Sequence, residues 1–348
     1  MRTPGPAAYA SPIVEPGTLD LDFLLRFTLI GLAVAIGGGL LLRLLRPPPR
    51  ARRLLREGWD ELASRPVELA DGHLVAVRER PGDALPPGEA RVVLGPTLVE
   101  WGRALPLEDG ERVLLVAFPG LAAYDPKARY DVATQVARLG ELLDALDVRR
   151  AHLAAADGFA LFAWRYAAAH PERVASLVLV RPMGLRPDAP SEEEQAWLDG
   201  DLDAVLPPAE VAGDWLRGLP KRPSWAGEGL ALRAADDLDA AAHACLRHLA
   251  GDLAPDAFGP ASALAAVKAP ALVVWGQHDR GSEPENAARF ARALADGRTA
   301  MLDGCRGAPL EERPEQVAEA THAFWVGLRG EGGEGGEAAK VADDEART

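Results

Sequence analysis

The 348-residue chain is 48% hydrophobic and 26% charged, which supports one large core with appendages. Its net charge of -14 and pI near 5.0 exclude a general nucleic-acid surface, which needs clustered Lys and Arg outweighing the acidic background. The two cysteines, Cys245 and Cys305, supply neither a disulfide framework nor a zinc site and read as buried bystander thiols.

Residues 1–22 form an N-terminal segment carrying Glu15, Asp20 and Asp22. No charged residue occurs from Phe27 to Leu42, and the apolar character extends from Phe23 to Leu45 if Arg26 and Arg43 snorkel. At about 1.5 Å per residue the uncharged stretch spans about 24 Å and the snorkelled one about 33 Å, against a hydrocarbon core of about 30 Å. A cleavable signal peptide would place its basic residues before the apolar run; here Arg43, Arg46, Arg50, Arg52, Arg53 and Arg56 follow it. The expectation is a single-pass anchor in the lipid bilayer at residues 23–46, with the large domain in the cytoplasm by the positive-inside bias. A buried or interfacial helix is the alternative. Pro47 to Pro49 end the helix and open a Pro/Arg-rich linker, residues 47–65.

From residue 66 short apolar runs alternate with amphipathic ones, the pattern of a mostly parallel sheet covered on both faces. VELADGHLVAVRER reads as two strands around Asp71-Gly72, and residues 90–94, 112–118, 151–155, 175–180, 271–275 and 299–303 as buried strands. Helices are expected over 132–146, from about 158 to 170, and from 314 to 328. Between residues 182 and 266 the strand signal disappears, and the segment is helical with Pro breaks and three tryptophans, Trp197, Trp215 and Trp225. These tryptophans are expected to pack the segment onto the core rather than line a cavity. The Gly- and Glu-rich tail, residues 329–348, cannot bury a core and is expected to be disordered.

Three stretches, RYAAAHPERVASLVLV (165–180), VKAPALVVWGQHD (267–279) and ERPEQVAEATHAFW (312–325), resemble the α/β-hydrolase superfamily, in its haloalkane dehalogenase, epoxide hydrolase and small esterase branch. The resemblance covers residues 66–328. It implies an eight-stranded, mostly parallel sheet with helices on both faces, built from residues 66–181 and 267–328 with a helical lid at 182–266, here preceded by one transmembrane helix. It also implies a nucleophile on a sharp turn after the fifth strand, an acid after the seventh, a histidine after the last, and backbone donors after the third.

The matching positions are altered. Asp157, in Ala155-Ala156-Asp157-Gly158-Phe159, stands at the nucleophile position, and Asp279 matches the acid. Gly307 stands where the resemblance places the histidine, and Leu94-Gly95 replaces the usual His-Gly of the oxyanion loop. Phe159 is bulky where the turn ordinarily needs a very small residue, and Asp157-Gly158 suggests a relaxed turn with the glycine at positive φ. Asp157 therefore has two readings, nucleophile or cap of the following helix. Arg306 is expected to fill part of the vacated imidazole space by pairing with Asp279 or Asp157, or else to be a solvated loop residue.

Loss of the base from a serine triad costs on the order of 10⁶ in rate, about 8 kcal/mol of transition-state stabilisation. With an aspartate nucleophile the imidazole activates the water that cleaves the ester, so without it one turnover is the ceiling. The main expectation is thus a membrane-anchored protein of this fold without catalysis. Leu94, Gly95, Gly158, Phe159 and Arg306 are its candidate binding residues, toward a small apolar ligand or a protein partner. The alternatives are an active hydrolase cleaving an ester, epoxide or carbon–halogen bond through Asp157, and an interaction protein whose pocket is filled. Neither a phosphate-cradling glycine loop nor a metal-ligand cluster is present in the sequence, so no cofactor is implied.

Overall fold

The structure, a computed structural model, describes residues 62–95, 101, 104, 110–119, 125–190, 192–205, 240–279 and 282–331, all within the unit Leu44–Thr348. The expected span 23–46, the arginine cluster after it, Trp215, Trp225 and the tail from residue 332 lie outside the described residues. Among the described residues no helix is long and apolar enough to cross a membrane.

Eight strands form one sheet: β1 (Ser64–Glu68), β2 (Leu74–Arg80), β3 (Glu89–Gly95), β4 (Val113–Ala117), β5 (Arg150–Ala156), β6 (Val174–Val180), β7 (Ala271–Gly276) and β8 (Gly297–Leu302). Their spatial order is β1-β2-β4-β3-β5-β6-β7-β8, with β2 antiparallel to both its neighbours and the remaining pairs parallel. The hairpin turns at Gly72, whose φ of +80 is a conformation that side chains resist. Strands β4, β6 and β7 are buried along their whole length, which is why they read as continuous aliphatic runs rather than alternating ones.

Helix α1 (Val132–Ala145) starts at Asp131, whose carboxylate accepts from the Thr134 N–H, and buries Leu139, Leu142 and Leu143. Helix α2 (Asp157–Ala169) is apolar nearly all round and packs in the same layer. Between β6 and β7 lie α3 (Glu192–Asp199), α4 (Leu202–Val205), α5 (Ala240–Leu253) and α6 (Ala261–Leu264). Trp197 of α3 is buried in the same core layer as Leu249 and Leu253 of α5, the packing use expected for it. Helices α7 (Glu285–Ala293), α8 (Pro309–Glu312) and α9 (Pro314–Glu331) complete the described residues. The core is two apolar layers, one on each face of the sheet; Val317, Phe324 and Trp325 of α9 close the second against β5, β6 and β7.

Candidate functional site

The register of the central strands decides which residues meet. Ala156 of β5 pairs with Val180 of β6, and Val180 pairs with Val274 of β7. The next residues, Asp157 and Arg181, therefore leave adjacent strands side by side at the carboxyl edge of the parallel sheet, where open α/β sheets place their ligand sites. Asp279 follows β7 at the same edge. Its loop is tied to the one after β8 by the His278 N–H, which donates to the Cys305 carbonyl at 2.9 Å.

Asp157 is a strained residue. Its φ is +51, and Gly158 has no positive φ, so the relaxed Asp-Gly turn expected from local sequence does not form. The capping reading is also overturned: Ala156 is the N-cap residue, it makes no side-chain cap bond, and Asp157 is the first helical residue of α2. Its carboxylate sits in the first turn, where the helix dipole favours a negative charge. The sharp turn forms despite Phe159, because that ring turns into the core and meets Phe162 edge-on at 6.2 Å.

Arg181 joins the two carboxylates. Its Nε donates to Asp279 Oδ2 at 2.6 Å and its Nη2 to Oδ1 at 3.5 Å, while Nη1 lies 3.5 Å from Asp157 Oδ1. The guanidinium side chain is 4% exposed and the Asp279 side chain 0%, so this is a desolvated arrangement rather than a surface pair. Arg181 is itself at φ +49 and is fixed by its N–H, which donates to the Val274 carbonyl at 2.8 Å. Of the two readings of Arg306, pairing with Asp279 or Asp157 is corrected and the solvated loop residue agrees with the structure: its side chain is exposed, and its backbone N–H donates to Glu312 Oε2 at 3.0 Å. The sequence reading missed Arg181. The available signal was a charged residue directly after the strand 174–180, apolar but for Ser176, one strand over from the turn.

Gly307 faces the pair. A Cβ built there would lie 2.9 Å from Asp279 Oδ1, and the residue's φ is +136. The position that the motif assigns to an imidazole is thus adjacent to the acid, as expected, but its backbone is in a region side chains rarely adopt. The described imidazoles are engaged elsewhere. His73 bonds to the Pro119 carbonyl, His152 to Ser176, His170 lies against Tyr166, His248 against Tyr130, and His278 faces Asp303. His322 is exposed on α9, and the His243 side chain lies outside the described residues.

Of the other candidates, Leu94 is fully buried in the core, and Gly95 ends β3 with its carbonyl accepting from the Phe118 N–H at 2.8 Å. Gly158 and Phe159 are buried in the first turn of α2. The oxyanion-loop residues beyond Gly95, from Pro96 to 100, lie outside the described residues. Asp279 Oδ1 also accepts from the Ser282 N–H at 3.2 Å, Ser282 Oγ donates to Glu194 Oε1 of α3 at 3.0 Å, and Asn286 Nδ2 donates to Ser282 Oγ at 3.0 Å. The void between Arg181, Met183, Glu194, Trp275 and Asn286 measures about 20 Å³, room for about one water. A wider cavity of about 350 Å³ opens at the sheet edge between the β1–β2 turn and α1, lined by Asp71, His73, Asp125, Arg129, Thr134 and Arg138. Its charged lining does not suit an apolar ligand. Among the described residues no group of three or more His, Cys, Asp or Glu could hold a metal ion.

No protein-family model and no curated protein sequence matches the chain. Among solved structures it is similar to a bacterial membrane phospholipase A described as a virulence factor, at 26% identity over 88% of this chain and 99% of that one, with a TM-score of 0.65. A hydrolase from Pseudomonas aeruginosa shares 26% identity over 78% of this chain and 99% of its own, with a TM-score of 0.57. A haloalkane dehalogenase from Bradyrhizobium elkani shares 20% identity over 77% of this chain and 99% of its own, with a TM-score of 0.58, a likeness of fold.

Proposed function

We propose a non-catalytic role for this chain, which belongs to the α/β-hydrolase superfamily. The observation that carries the reading is Arg181 standing between Asp157 and Asp279, with glycine at the position of the proton shuttle. A guanidinium stays protonated throughout the working pH range, so it cannot accept a proton from a hydroxyl or a water as an imidazole does. The aspartate pair keeps its places and exchanges a proton relay for a charge clamp.

The same reading makes the domain a binding module. Residues 23–46 anchor it in the bilayer with the folded part in the cytoplasm, and the segment 182–266 covers the former site as a lid; the void of about 20 Å³ left there favours a protein partner over a small apolar ligand. Support for the anchor is the uncharged run from Phe27 to Leu42 with the arginines that follow it. Support for a closed cover is the bond from Ser282 to Glu194 and the burial of Trp197.

The left-handed backbone of Asp157 favours the second reading, an active hydrolase, because a strained turn of this kind is what holds a nucleophile forward. Assay of the full chain with p-nitrophenyl esters, epoxides and haloalkanes separates the two. No turnover above buffer is expected. Sustained turnover that disappears in Asp157→Ala overturns the non-catalytic reading.

A further inference from the structure

At the opposite end of the sheet from the ion cluster lies a second polar assembly. Glu89 of β3, His152 of β5 and Ser176 of β6 line up across three neighbouring strands, on the face covered by α9. His152 Nε2 is 3.3 Å from Glu89 Oε2, and its Nδ1 is 2.8 Å from Ser176 Oγ. The Trp325 indole of α9 donates to the same Ser176 Oγ at 3.2 Å. Carboxylate, imidazole and hydroxyl stand in the order of a catalytic relay, but Ser176 is fully buried, so its Oγ meets no substrate.

The donors and acceptors allow one assignment of protons. A carboxylate only accepts, so Nε2 of His152 carries the hydrogen that faces Glu89, and in the neutral ring Nδ1 is then an acceptor. Ser176 spends its O–H on Nδ1 and a lone pair on the Trp325 indole, and every group is satisfied. A second proton on the ring would have to sit on Nδ1. The Ser176 hydrogen would then have to turn away from the ring, and the ring would be charged.

The surroundings oppose that charge. Arg91 stacks over the Trp325 ring at 3.9 Å and forks onto Glu111 at 3.1 and 2.8 Å. Arg329 of α9 reaches Glu111 at 3.4 Å, and Arg150 lies 3.6 Å from Glu89. Three guanidinium groups thus face two carboxylates, Glu89 and Glu111, before the imidazole is counted. Burial first, then the charges of Arg91, Arg150 and Arg329, press the ring toward its neutral form, its pKa lowered to about 3.

We infer that α9 is held to the sheet by a neutral-histidine latch, made of Glu89, His152, Ser176 and Trp325, and that acidification undocks this helix as a unit ahead of the central strands. The latch ties only one element to the sheet, and the His152 side chain, 14% exposed, lies on the face that α9 covers. Lifting the helix hydrates the ring and lets it take its proton, which couples undocking to acid. Besides the latch, α9 is held by the apolar contact of Val317, Phe324 and Trp325, by Arg91 over the Trp325 ring and Arg298 over the Phe324 ring, and by the Arg329–Glu111 pair, none of which gives up a proton site to the imidazole.

Hydrogen exchange of the full chain, read by peptide at pH 7 and pH 5 and corrected for the intrinsic pH dependence of exchange, tests this. Protection of residues 314–331 is expected to fall about twentyfold between the two pH values relative to β5 and β6. The differential is expected to vanish in His152→Leu, and in Trp325→Phe protection of α9 drops already at pH 7. Loss of protection by α9, β5 and β6 together at each pH overturns the inference, and so does an unchanged differential in His152→Leu. If His152→Leu does not fold, the wild-type comparison of α9 with β5 and β6 decides the matter.

Discussion

Arg181 Nε lies 2.6 Å from Asp279 Oδ2 in surroundings where the aspartate side chain has no solvent exposure at all. Breaking a buried pair by removing one partner costs about 3–5 kcal/mol, because the charge left behind keeps its desolvation penalty. Arg181→Met is therefore expected to lower stability by that amount in urea denaturation, leaving two carboxylates facing each other. Adding Asp157→Asn and Asp279→Asn is expected to recover most of the loss, since the triple variant buries no unpaired charge. If Arg181→Met alone is neutral, the clamp is not a stabilising feature of this fold.

Gly307→His restores the residue type that the motif asks for, yet hydrolysis is not expected to return. The φ of +136 strains any side chain there, and the new Cβ would lie 2.9 Å from Asp279 Oδ1, which already accepts from the Ser282 N–H at 3.2 Å and from Arg181 Nη2 at 3.5 Å. The expected result is a loss of about 1–3 kcal/mol in denaturation, with no gain in turnover of p-nitrophenyl esters.

Cys305 lies next to the same loop and is fully buried, and burial raises its thiol pKa. The thiolate is the reactive form, so the native thiol should be inert. Alkylation by iodoacetamide at pH 8, localised by peptide mass mapping, is expected to be at least about a hundredfold slower in the native chain than in urea.

The strands were legible because β4, β6 and β7 are buried along their length and their sequences, such as VASLVLV, are apolar apart from Ser176. The position of Asp157 was legible from the stretch that follows it, but its conformation was not. The local rule gives the positive φ to glycine in an Asp-Gly pair; the packing of β5 and α2 gives it to Asp157 instead. Arg306 drew attention because it neighbours Gly307 in sequence. Arg181 does the pairing from 98 residues away from Asp279, through a register that no local pattern encodes.

Acid should destabilise the domain through two imidazoles, His73, which is buried, and His152, which is part-buried. His73 is pressed below its ordinary pKa of 6.5 by burial first and by the Arg138 charge, against the opposing bond to the Pro119 carbonyl. His152 is lowered to about 3. In both cases the unfolded chain binds a proton near pH 6.5 that the folded chain refuses. Their stabilisation is therefore complete above that pH and is lost progressively as pH falls toward the folded values. For His152 the linkage amounts to about 2 kcal/mol at pH 5. Denaturation curves taken from pH 7 to pH 5 are expected to show falling stability, with a shallower slope in His73→Gln than in the wild-type chain. An identical slope in that variant would mean that the folded and unfolded chains bind a proton on this ring equally well, which its burial and the charge of Arg138 argue against.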